Sequence, residues 1–219
     1  MTIDRDDLLN SIIESFGRIQ HIHLEDIPNI DLYMDQVTTF MERKLKSTTR
    51  NPGEDKILTK TMINNYAKNN LLPPPVKKKY SKEHILVLIF IYYYKGILSI
   101  NDIQSLLNPI TERYFHTKGQ PDLSTIYETV FSMEKDEVDN LKEDIIKKFD
   151  TAQNTFQDAE EEDKEVLQLF SLICMLSFDV YVKKLLIEKM VDSFETATAK
   201  EEKESKADGK ERATKEPKK

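Results

Sequence analysis

Apolar positions along this 219-residue chain recur at intervals of three and four, the period of helices packed on one side. Over residues 4–20, Leu8, Leu9, Ile12, Ile13, Phe16 and Ile19 share one face and predict an amphipathic helix. Pro28 breaks the pattern. A second helix is predicted over 31–46, with Tyr33, Val37, Phe40, Met41 and Leu45 turned inward, and 47–53 reads as a loop by composition. A third helix is predicted over 59–69, with Thr59 as N-cap and Met62, Ile63 and Tyr66 as its inner stripe. Asn70 stands where a left-handed residue ends a helix, and Pro73, Pro74 and Pro75 cannot continue one.

From Ser81 to about Lys95 the pattern is apolar nearly all round, which predicts a helix at the centre of the core, ended by Gly96. A short helix is predicted over 99–107, with Ser99 and Asp102 at capping-box spacing and Ile103, Leu106 and Leu107 packing back. Helical periodicity continues over 123–149. An acidic run, 158–165, precedes an apolar helix over 166–194, which packs into the main core or forms a dimer seam. Cys174, within it, reads as a core residue. Residues 195–219 have almost nothing to bury and read as disordered or as a frayed extension of that helix.

The fold class that follows is all-α. The expected organisation is a helical domain over 1–118 with its core at 58–107, C-terminal helices over 119–195 as a dimerisation or effector region, and a disordered charged tail over 196–219.

Composition narrows the function. One cysteine permits no intramolecular disulfide, and no Cys/His cluster has zinc-ligand spacing. The four histidines, His21, His23, His84 and His116, are scattered, and His21 and His23 read as surface residues rather than ligands. No phosphate-binding glycine loop or nucleophile elbow is present, so neither an enzyme nor a cofactor site is expected. The apolar run 85–94 is shorter than the ~20 residues of a membrane span, and the N-terminus does not resemble a signal peptide; a soluble cytoplasmic protein is expected.

The net charge of −7 is unevenly distributed. Residues 56–84 contain seven lysines and a single acid, Glu83, a net +6, which leaves −13 on the remainder. Such an island is either a polyanion-binding face or a solvated surface. Lys60, Thr61, Asn64, Asn65 and Lys68 lie on the faces of the third helix not taken by its apolar stripe. Asparagine can bond adenine in bidentate fashion, and Lys77, Lys78 and Lys79 suit phosphate. Tyr66 is expected in the core, and Tyr80 either in the core or on phosphate.

The order of elements from Leu58 to Leu107 resembles the DNA-binding region of MerR-type transcription regulators. Thr59, Ile63, Tyr66, Leu71, Leu72, Pro73, Tyr80, Ser81, Glu83, Ile85, Ser99, Ile100, Asp102, Ile103 and Leu107 carry the likeness. Only Val76 to Lys79 separate Pro75 from Tyr80, so the wing of that pattern is very short here, and Asn64 stands where an Arg is usual. Residues 24–115 also resemble a family of uncharacterised proteins of Gram-positive bacteria, domain-of-unknown-function family 1836, through 59–66 and 73–81. The resemblance implies a MerR-like winged helix-turn-helix and a DNA-binding transcription regulator. Double-stranded DNA is the expected partner, contacted through Thr59, Lys60, Thr61, Asn64, Asn65, Lys68, Lys77, Lys78, Lys79 and Tyr80, and a homodimer through the C-terminal helices is expected. The alternative is a non-enzymatic adaptor that keeps the fold without binding DNA.

Overall fold

The structure is a computed structural model that describes residues 5–16, 21–51 and 54–213. It is mostly helical. The helices are α1 (Arg5–Phe16), α2 (Met34–Leu45), α3 (Lys60–Lys68), α4 (Lys82–Tyr94), α5 (Ile100–Tyr114), α6 (Leu123–Ser132), α7 (Glu134–Gln153) and α8 (Glu161–Ala213). Two two-residue strands, β1 (Leu32–Tyr33) and β2 (Lys79–Tyr80), pair antiparallel, Leu32 opposite Tyr80 and Tyr33 opposite Lys79.

The main core is built around α4. Residues 84–91 are all buried, as an all-round apolar pattern requires. Val37, Met41 and Leu45 of α2, Ile63 of α3 and Ile103 and Leu107 of α5 pack around them. The core also takes in Leu123 and Tyr127 of α6 and Val191 of α8, well past the domain boundary expected at 118. Tyr127 is 1% exposed, and its hydroxyl donates to the carbonyl of Ile22 at 2.5 Å. A smaller cluster joins Phe149 and Ala152 of α7 to Leu172 of α8, with Leu9 of α1 beside it.

Several expectations are corrected. Leu32 and Tyr33 are strand rather than helix, and Tyr33, expected inward, is 54% exposed. The reason is local: the Tyr33 N–H donates to the Gln36 side chain at 2.8 Å, which starts the helix at residue 34. Helix α5 runs past 107 and through Pro109 to Tyr114, held on the core by Leu107 and Thr111. The 123–149 segment is two helices, α6 and α7, either side of Met133. Helix α8 continues to Ala213, so most of the stretch expected to be disordered takes the extension form; its Ala, Glu and Lys content favours helix. The ends of the first predicted helix, residue 4 and residues 17–20, and residues 214–219 of the tail lie outside the described residues.

One side chain is placed opposite to expectation. Cys174 is exposed, because α8 turns that flank away from α7. His84 is buried at 1% exposure. Its Nδ1 accepts from the Ser81 N–H at 3.0 Å and lies 2.8 Å from the Ser81 hydroxyl, so it fills the third-residue place that Glu or Gln takes in a capping box.

His84 makes stability pH-dependent. Burial lowers its pKa from the ordinary 6.5, and the carbonyls of Pro73 and Pro74, which favour the protonated ring, offset this only in part. The unfolded chain therefore takes up the proton first as pH falls. The contribution is complete above about pH 6.5 and is lost as pH falls from there through the lower folded value. His84→Gln keeps the cap without a titrating ring. Urea midpoints of the wild type should fall between pH 8 and 5 relative to those of His84→Gln; parallel profiles for the two would refute the assignment.

Candidate nucleic-acid interface

Helix α3 is fixed at both ends by its own sequence. Thr59 Oγ1 accepts from the Met62 N–H at 3.1 Å, the expected N-cap. At the other end Asn70 adopts φ 57°, and the N–H groups of Leu71 and Asn70 donate to the carbonyls of Tyr66 and Ala67. This is a Schellman termination with Asn in the left-handed place, closed by buried Tyr66 and Leu71. Ile63 and Tyr66 anchor the inner face. Thr61, Asn64, Asn65, Lys60 and Lys68 are all exposed on the outer face, as expected, with Thr59 half-buried at its start. At 100° per residue, Lys60, Thr61, Asn64 and Lys68 lie within about 100° of one another.

The chain then returns through a very small hairpin. The Val76 N–H donates to the Lys79 carbonyl at 3.1 Å, and the Lys79 N–H to the Val76 carbonyl at 2.9 Å. The two residues between them, Lys77 and Lys78, have φ of 51° and 63°. Consecutive positive φ at both central positions is the type I′ hairpin turn, whose preferred residues are Asn-Gly. Two lysines occupy these positions instead, and both side chains are exposed.

The hairpin and α3 are joined through α2. Lys79 pairs with Tyr33 across the strands, and its Nζ lies 5.2 Å from the centroid of the exposed Tyr33 ring. Two residues on, Asp35 forms an ion pair with Lys60. The hairpin tip, the start of α2 and the outer face of α3 therefore make one continuous surface. It carries lysine ammonium groups, two asparagine amides and the carboxylate of Asp35. Sequence reasoning missed Tyr33 and Asp35, because the helical pattern assigned Tyr33 to the core; Gln36, three residues after Tyr33, was the available capping signal.

Tyr66 and Tyr80 do not belong to that surface. Tyr80 is 3% exposed and packs its ring edge against His84. Burial raises the pKa of both phenols. Of the two readings of Tyr80, the core is where its side chain lies.

Among the described residues, one helical stretch, Glu161–Thr198, is long and apolar enough to cross a membrane by length and composition, with an 18-residue window of mean hydropathy 1.6. No curated protein and no solved structure matches the chain. The family model described as Domain of unknown function (DUF1836) matches residues 22–130, a stretch that includes α2, α3, the hairpin, α4, α5 and most of α6.

Proposed function

We propose that the chain is a DNA-binding transcription regulator that uses α2 and α3 as a MerR-like helix-turn-helix and residues 76–79 as a minimal wing. The observation that carries this reading is the pair of left-handed lysines, Lys77 and Lys78, at the hairpin tip beside the polar face of α3. Strained backbone that presents charge is a feature of functional surfaces. In this reading α3 enters the major groove, Asn64 and Asn65 meet base edges, and Lys60, Lys68, Lys77 and Lys78 meet phosphates. The protein acts in the cytoplasm and performs no chemistry. A second reading, a protein–protein adaptor, draws on Asp35, which pairs with Lys60 and repels phosphate.

The test is a salt titration of binding to a pool of duplex DNA. Affinity should fall steeply with salt. Asp35→Asn frees Lys60 and should tighten binding several-fold while steepening the log–log slope by about one. Absence of binding to any duplex at low salt would sink the regulator and favour the adaptor.

A further inference from the structure

Helix α8 leaves a large apolar surface uncovered. Ten of its apolar side chains between Val166 and Met190 are each at least 45% exposed. All but Val182, Leu186 and Met190 fall on one half of the helix at 100° per residue, and these seven present on the order of 700 Å², close to the ~800 Å² that each partner of a stable pair buries. A patch of that size is above what monomers ordinarily carry.

The patch is periodic. Val166, Phe170, Ile173, Ser177 and Val180 follow one another at intervals of 4, 3, 4 and 3, and all five are exposed. That is the a/d spacing of a two-helix coiled coil. From Gln168 to Asp179 the side of α8 facing away from this seam is already occupied. Leu172 packs on Phe149 and Ala152, Gln168 donates to the carbonyls of Gln153 and Thr155, and Asp179 pairs with Lys148 at 2.7 Å.

These interactions decide between a bilayer and a protein as the occupant. Helix α7 lies along the apolar stretch of α8 and is rich in Asp, Glu and Lys. A bilayer around α8 would have to take in that charged neighbour or strip it away. A second α8 needs neither.

Charge sets the orientation. The seam is preceded by 161–165, four acids and Lys164 with a net charge of −3, and followed by 183–189, three lysines and Glu188 with a net charge of +2. Parallel pairing sets acids against acids and lysines against lysines. Antiparallel pairing about an axis near Cys174 sets the acidic end of each helix beside the lysines of the other, and brings Phe170 opposite Val180 and Ile173 opposite Ser177.

We infer that the α8 seam is covered by the α8 of a second copy of this chain, in antiparallel register centred at residue 175, next to Cys174. The dimer stands whether or not the α3 face meets DNA.

Cys174 reports the orientation. It lies at the e position that flanks the seam. Antiparallel helices bring the two e positions of the axis together on one flank, whereas parallel helices hold them on opposite flanks. The full chain should sediment as a dimer at tens of micromolar, and a short bis-maleimide should join two copies through Cys174. Ile173→Glu should yield a monomer with unchanged helical circular dichroism, since residue 173 is exposed in the single chain. A monomeric wild type, an Ile173→Glu variant that stays dimeric, or flotation of the wild type with anionic lipid vesicles would overturn the inference. A dimer that the maleimide does not link would overturn the antiparallel register.

Discussion

Replacing Lys77 by Asn and Lys78 by Gly should stabilise the protein and weaken its binding to DNA in the same step. Left-handed backbone is costly for a lysine and nearly free for Gly, with Asn between them, and Asn-Gly is the preferred pair of the type I′ turn. Each strained position costs on the order of 1 kcal/mol or more, so the double variant should gain about 1–2 kcal/mol. For a chain of 219 residues this corresponds to a rise in Tm of roughly 2–8 °C. Binding should change in the opposite direction. With two phosphates no longer neutralised, affinity should drop by on the order of 10- to 100-fold near 0.1 M salt, and the log–log salt slope should flatten by about 1.8. Lys77→Ala with Lys78→Ala should reproduce the weaker binding without the gain in stability, because Ala gains little in a left-handed turn. His116 and Phe156 also have positive φ, so left-handedness alone is not the signature. The distinguishing feature is two consecutive lysines at a hairpin tip, where an unselected sequence gains by Asn-Gly. If the Asn-Gly variant melts higher yet binds duplex DNA like the wild type, the lysines do not serve a nucleic-acid interface.

The helices were legible wherever a single local signal dominated. Thr59 and Ser99 each accept from the backbone three residues on, and Asn70 has the left-handed backbone expected of it. Residues 84–91 form a buried helix because no face of that segment is polar enough to meet water. What the pattern could not give depends on partners distant in sequence. Leu32 and Tyr33 form a strand because Tyr80 and Lys79 lie opposite them, and a two-residue strand carries no periodicity to detect. His84 is buried with its ring against Phe115, centroids 4.8 Å apart, and nothing in the spacing of the four histidines sets it apart. For the candidate surface, the exposed positions of α3 and the three lysines could be read from the chain, but Asp35 joins them only through the packing of α2 on α3. Cys174 shows the converse limit. Apolar neighbours imply burial only when enough surface exists to cover them, and α7 covers one side of α8.

Tyr127 offers the largest expected loss of stability, and it tests where the domain ends. Its ring packs against Phe90 of α4 and Phe131 of α6, with centroids at 5.7 and 4.4 Å. Burial raises the pKa of its phenol, which stays neutral and donates to the Ile22 carbonyl. Tyr127→Phe removes the donor and leaves a buried carbonyl unpaired, at a cost of about 1–3 kcal/mol. Tyr127→Ala also opens a cavity beside α4 and should cost about 3–5 kcal/mol. Urea unfolding measures both. The size of the loss does not by itself say which elements lose it, so amide hydrogen exchange must be read on α4. If residues 1–118 were a closed unit with α6 merely appended, Tyr127→Ala would loosen α6 and leave the α4 amides as protected as before. Because Leu123 and Tyr127 are buried in the same core as residues 85–91, exchange should instead accelerate along α4 as well as α6. A variant that loosens α6 alone would restore the boundary at 118 and make the Tyr127–Ile22 bond a local latch.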